Sequence, residues 1–142
     1  MPAAEVLLDT NVLVYALSAD PAERAKHERA TELLAVEDFG TSYQIIMETW
    51  VAATRKMERP QSAARVTVFL EQLLQFPFVL GTEGLYHQAF QLSDRYKIHP
   101  YDAAVLAAAQ ELGATTIYSE DLGHGQDYDG VRVINPFLAA SR

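Results

Sequence analysis

Two rhythms of apolar residues run along the chain. Short β-forming runs occur at residues 5–9, ending in Asp9, and at 78–80, 115–118 and 131–134, the last closed by Asn135-Pro136. Between them apolar residues recur every three or four positions, the spacing of one buried helix face. Asp20-Pro-Ala-Glu23 predicts a helix start, with Asp20 as cap, Pro21 in the first turn and Glu23 three residues after the cap. That helix is expected to run toward Val36 with Ala30, Leu33 and Leu34 inward. Thr41-Ser42 is expected to cap a second helix that buries Ile45, Ile46, Thr49, Trp50, Ala53 and Met57. Pro60 is expected to open a third, which buries Val66, Phe69, Leu70 and Leu73. Thr82-Glu83 starts a fourth over Leu85, Ala89 and Leu92, and an Ala-rich helix from Pro100 to Leu112 stops at Gly113. Short strands alternating with longer helices predict an α/β fold, a three-layer α/β/α sandwich with a central parallel sheet. In such sheets ligands bind beyond the carboxyl ends of the strands.

That rule directs attention to four acids. Asp9 ends the first strand, Asp121 follows the strand at 115–118, Asp102 lies in the first turn of the Ala-rich helix, and Glu48 lies mid-helix beside a buried face. Carboxylates next to apolar segments are costly unless paired. Lys and Arg are absent from residues 6–19, 41–54 and 98–131, so no local cation relieves them. A hard divalent ion with oxygen ligands, Mg²⁺ or Mn²⁺, is the economical partner. Each acid also has an ordinary reading: Asp9 as a helix cap, Glu48 as a surface residue, Asp102 as a charge favourable to a helix start, Asp121 as a turn residue. Taken together, their recurrence where an α/β sheet places ligands favours a metal site.

Composition narrows the field. The chain has 142 residues, 49% hydrophobic and 21% charged, which fits a single domain spanning 1–142. It has no cysteine, which excludes disulfide scaffolds, thiolate metal sites and a Cys nucleophile. The longest run without Asp, Glu, Lys or Arg, residues 72–82, is far short of the about 20 apolar residues of a membrane helix. The opening Met-Pro-Ala-Ala-Glu lacks the basic segment and apolar run of a secretory signal, so a cytoplasmic protein is expected. Net charge is −8, from 11 basic and 19 acidic residues. This opposes nucleic-acid binding, which draws on Lys and Arg, unless a metal or a local basic rim meets the phosphates. The candidate rims are Arg55-Lys56 with Arg59, then Arg24, Lys26 and Arg29, then Arg95 with Lys97. The four histidines show no metal-ligand spacing, Asp127-Tyr-Asp129-Gly130 reads as a turn, and Trp50 as core.

Longer strings are more specific. Leu8-Asp9-Thr10-Asn11-Val12-Leu13-Val14-Tyr15, Ser42-Tyr43-Gln44-Ile45-Ile46-Met47-Glu48, Tyr101-Asp102-Ala103-Ala104, Ser119-Glu120-Asp121-Leu122-Gly123-His124-Gly125 and the ending Asn135-Pro136-Phe137 occur in this order across nearly the whole chain. In this the sequence resembles the PIN-domain family, specifically the VapC-type toxin ribonucleases of toxin–antitoxin pairs. The resemblance implies a central parallel sheet with an acidic pocket and Mg²⁺- or Mn²⁺-dependent hydrolysis of RNA by water, without a covalent intermediate. It implies that Asp9, Glu48, Asp102 and Asp121 are the metal-binding and catalytic acids. It also implies a homodimer and a cognate antitoxin protein. Thr10, Asn11, Arg55 and Lys56 are candidate substrate contacts, and Glu120 is left without a role. Tyr101 departs from the residue that many relatives carry there.

Two other classes remain in view. A Mg²⁺-dependent phosphotransfer enzyme or phospho-receiver would also be acidic and α/β. An aspartyl phosphatase wants Asp-x-Asp after the first strand, where Asn11 stands here, and a receiver wants a Lys where Asn135 and Pro136 follow Ile134. A non-catalytic PIN-like scaffold would have no need of all four acids.

Overall fold

A computed structural model describes residues 3–138; Met1 and Pro2 of the opening segment lie outside them. The central strand β1 (Val6–Leu8) is buried along its whole length, as an uninterrupted apolar strand in a covered parallel sheet must be. Helix α1 (Thr10–Leu17) follows at once, capped by Asp9. A 3-10 turn (Pro21–Glu23) capped by the Asp20 carboxylate then leads into α2 (Arg24–Val36). Glu23 does not reach back to the Asp20 amide; its carboxylate accepts from the Ser18 hydroxyl at 2.6 Å.

The next strand, β2 (Phe39–Ser42), stands where the sequence pattern gives only a helix cap. Phe-Gly-Thr-Ser has one large apolar residue, so its burial comes from its neighbours. Ser42 still caps α3 (Tyr43–Val51), accepting from the Ile45 amide at 3.3 Å. That helix continues as a π turn (Ala52–Lys56), in which the Met57 amide reaches Ala52 O. Helix α4 (Ala63–Leu73) starts three residues later than expected, because the Ser62 hydroxyl, not Pro60, supplies the start by accepting from the Arg65 amide. Then come β3 (Phe78–Val79), α5 (Glu83–Tyr96) and α6 (Pro100–Leu112). Helix α6 begins on His99, whose Nδ1 accepts from the Tyr101 amide at 3.1 Å, and ends at Gly113 with φ +74°.

Strands β4 (Thr116–Tyr118) and β6 (Val131–Ile134) complete the parallel set. Between them β5 (Asp127–Tyr128) pairs antiparallel with β6. The Asp-Gly turn expected there is the hairpin that makes this pairing, with Asp129 at φ +54° and Gly130 at φ +91°. The sheet order is β3-β2-β1-β4-β6-β5, so it is parallel except at one edge. Helix α6 lies against β1, β2, β3, β4 and β6, and α5 packs on α6. The remaining helices form a second group, α1 against α2 and α3, and α3 against α4. Leu7, Leu8, Leu13, Leu33, Phe39, Ile45, Leu106, Ile117 and Phe137 are fully buried between these layers. Among the described residues no helix is long and apolar enough to cross a membrane.

This order positions the site. From β1 the chain winds outward through β2 and β3, then returns to the other side of β1 for β4 and β6. The winding direction reverses between β1 and β4, and at such a switch point the loops part and leave a crevice at the carboxyl ends. Register holds the two ends level: Leu8 pairs with Tyr118, and the Asp9 amide donates to Tyr118 O at 3.1 Å.

Close packing of α6 on β2 sets a further requirement. A Cβ on Gly40 would lie 2.8 Å from Leu112 Cδ1 and 3.0 Å from the backbone oxygen of Pro77. Gly40→Ala is therefore expected to cost about 1–3 kcal/mol, as overpacked cores do. Urea unfolding followed by circular dichroism checks this, and the variant should show a lower midpoint with an unchanged slope.

Candidate active site at the sheet switch point

Asp9 leaves β1 directly into the reversal between β1 and β4, and its carboxylate is only 7% exposed. One oxygen accepts from the Thr10 amide at 2.8 Å, which makes Asp9 the cap of α1. The other accepts from the Ser119 hydroxyl at 2.7 Å. No cation pairs with it among the described residues. Burial pushes its carboxyl up to about 6, with nearby Asp121 and Glu48 adding to the rise and the two hydrogen bonds opposing it. The acid is thus both a cap and a strained charge.

Ser119 is the residue that the sequence pattern did not single out. It is fully buried at the end of β4, and its Oγ donates to Asp9 while accepting from the amides of Asp121 at 3.1 Å and Leu122 at 3.5 Å. One hydroxyl thereby fixes the first acid and the loop that carries the last. The sole sequence signal is a small polar residue directly after a β-forming run. Asn11 makes a second tie, donating from Nδ2 to Asp121 Oδ2 at 3.1 Å and accepting the Glu120 amide on Oδ1 at 3.2 Å.

Glu48 is exposed on α3, where Gln44 Nε2 donates to its Oε1 at 2.6 Å and also to Tyr101 O at 3.3 Å. Gln44 so ties α3 to the first turn of α6, where Asp102 sits half-buried without a hydrogen bond among the described residues. Asp9, Glu48, Asp102 and Asp121 all line one cleft of about 430 Å³, together with Thr10, Asn11, Tyr15 and Lys56. Arg59 lines it as well, whereas Arg55 does not: its guanidinium lies over the Trp50 ring, 5.5 Å from the centroid. Adjacent residues on a helix point about 100° apart, so one cation faces the cleft and the other the Trp50 ring. Glu120 and His124 are also outside the cleft, and His124 Nδ1 accepts from the Asn135 amide at 3.0 Å.

The four acids, with Asp20, Glu23 and Glu58 also in the wall, surround the cleft without closing on a common point. Among the described residues no three His, Asp or Glu side chains are placed to hold one ion. The donors are nonetheless of the right kind for a hard cation, all of them oxygen. Mg²⁺ keeps several waters and takes only one or two carboxylates. The Thr10 hydroxyl, also in the wall, is buried with no hydrogen-bond partner among the described residues.

A raised carboxyl favours the folded state when protonated. Asp9 therefore supports folding in full below about pH 4 and withdraws that support as the pH climbs toward 6. The loss is on the order of 2–3 kcal/mol at neutral pH. Asp9→Asn keeps the shape without the charge. In chelator at pH 7.5 it should be more stable than the unaltered protein by urea unfolding, and that advantage should vanish by pH 4.

No curated protein sequence matches the chain. Solved structures share its fold. A sarcin–ricin loop cleaving toxin, VapC20 of Mycobacterium tuberculosis, superposes with a TM-score of 0.65 at 22% identity over 82% of this chain and 89% of its own. A toxin–antitoxin complex from Klebsiella pneumoniae gives 0.67 at 21% identity over 92% and 97%. DNA-bound VapBC of Salmonella typhimurium gives 0.62 at 17% identity over 94% and 97%. The PIN domain family matches residues 6–126, a stretch that takes in β1, the switch-point cleft and Asp9, Glu48, Asp102 and Asp121, and the chain belongs to that family.

Proposed function

We propose that the protein is a divalent-metal-dependent endoribonuclease and the toxin of a toxin–antitoxin pair. The observation that carries this is the cleft itself. A PIN domain has drawn four acids from four separate segments to the switch point, and one of them is buried without a cation. Asp9, Asp102 and Asp121 would share a hydrated Mg²⁺ or Mn²⁺, one or two of them directly and the rest through its waters, with Thr10 in the same wall. Such an ion neutralises charge on a bound phosphate and lowers the pKa of its water.

The chain's own residues supply orientation and grip. Gln44 occupies Oε1 of Glu48, which leaves Oε2 to bind the ion or hold a water proton. Asn11 aims Asp121, and Ser119 aims Asp9. Lys56 and Arg59 are the cations in the cleft wall, and neither is ion-paired among the described residues. They meet the phosphates on either side of the cut, and Arg55, stacked on Trp50, takes a lesser share. The toxin–antitoxin assemblies among the structural neighbours support an antitoxin protein as partner. The sequence resemblance supports a homodimer, and an RNA substrate supports a cytoplasmic location.

Purified protein incubated with total cellular RNA and Mn²⁺ should cut it, and EDTA should stop the reaction. Asp102→Asn should lower the rate at least about a hundredfold, as loss of a charge-stabilising group does, with the circular dichroism spectrum unchanged. Undiminished cleavage by that variant would remove the acids from the mechanism. Lys56→Ala and Arg59→Ala should each weaken RNA binding and lower the salt dependence by about one phosphate contact, and Arg55→Ala should do so less.

A further inference from the structure

Two neighbouring acids at the end of β4 behave oppositely. Asp121 is exposed and lines the cleft, while Glu120 is half-buried and stands outside its lining, behind Tyr15. Both Glu120 oxygens are occupied. Oε1 accepts from the Tyr15 hydroxyl at 2.7 Å, and Oε2 from Lys26 Nζ at 2.6 Å. Lys26 closes the triangle by donating to the Tyr15 hydroxyl at 3.1 Å. Its ammonium lies 4.8 Å from the centre of the Tyr15 ring, and that ring meets Phe137 edge-on at 4.9 Å. Helices α1 and α2 and the loop after β4 thus meet at one carboxylate, with the exit of β6 packed against the Tyr15 ring, and both sides of the ion pair are about 70% shielded from water.

We infer that Lys26 and Tyr15 make Glu120 a positioning residue: they hold it outside the cleft lining, neutralise it, and so keep Asp121 facing in. The reasoning is steric and electrostatic. Glu120 and Asp121 share one short loop, so the direction of one backbone step sets both. The Glu120 amide on Asn11 Oδ1 and the Asn11 amide on Asp121 Oδ2 brace that step from one side. Lys26 and Tyr15 brace it from the other. Charge-assisted bonds of this length, partly shielded from water, are stronger than neutral ones. Without Lys26, Glu120 becomes one more unpaired carboxylate beside a cleft wall that carries Asp20, Glu23 and Glu58 besides the four acids named above. The inference rests on the proposed nuclease reading for its catalytic outcome, and on the geometry alone for its structural one.

Three variants separate the possibilities: Lys26→Met, Glu120→Gln and the two combined. Lys26→Met should lower kcat on RNA about tenfold while KM stays within about twofold, the scale for residues that orient ligands. Glu120→Gln should keep Mn²⁺ affinity, by calorimetry, within about threefold, and the double variant should recover most of the activity lost in Lys26→Met. A ligand role for Glu120 would instead cut Mn²⁺ affinity more than about tenfold in Glu120→Gln, with the melting temperature kept, and would overturn the inference. A double variant worse than Lys26→Met would overturn it too. Hydrogen exchange on metal-free protein supplies a readout independent of catalysis. Lys26→Met should speed exchange of the Glu120 and Asp121 amides about tenfold or more, and leave Leu7 and Ile117 unchanged. Unchanged exchange at Glu120 and Asp121 overturns the inference whether or not the protein cuts RNA. Absence of RNA cleavage by the unaltered protein, with exchange altered as expected, overturns only the nuclease reading.

Discussion

A carboxylate buried at the end of a central strand, with no cation opposite it among the described residues, governs the architecture around it. Asp9 must keep at least some solvation substitute, and the fold provides it with two hydrogen bonds, from the Thr10 amide and the Ser119 hydroxyl. Those two donors do not suffice, which is why burial still drives the acid upward. The protein therefore carries a localised instability where an ordinary core would place a neutral side chain. Natural proteins tolerate such spots where function needs them. Here the cost is concentrated at the one point where two loops separate.

The rest of the site follows from topology more than from local sequence. Reversal of winding between β1 and β4 opens the crevice, and the register of those strands sets Asp9 beside Ser119. Gln44 then spans from α3 to α6, so that Glu48 and Asp102 approach from helices that are separate in the chain. Polar side chains thus do the joining across elements, while the apolar layers fix only where those elements stand.

Much of this was legible before any coordinates. The Ala-rich run gave α6 with its stop at Gly113, Ser42 was a correct cap, and the acids fell where α/β sheets bind ligands. What escaped did so for physical reasons. Strand β2 has Gly, Thr and Ser at three of four places, so its burial is imposed by β1, β3 and α6 and leaves no apolar pattern. Pro60 looked like a helix start, but a hydroxyl cap two residues later is stronger than ring geometry alone. Glu120 and Asp121 are chemically alike and adjacent, and only the distant Lys26 and Tyr15 tell them apart. Arg55 and Lys56 are alike in charge, and which of them faces the cleft depends on the phase of the helix, which shifts where the chain departs from 3.6 residues per turn.

That departure has an implication for how the cleft changes over descent. A π turn is an α-helix with one residue inserted, and each residue advances a regular helix by about 100°. Deleting a single residue between Ala52 and Lys56 would rewind the segment and swing every later side chain around the axis by that angle. Lys56 would leave the wall and a different neighbour would take its place, with the acids untouched. Single-codon gains and losses at the end of α3 are thus a dial on which charges the cleft wall presents, turned without disturbing the hydrophobic layers beneath.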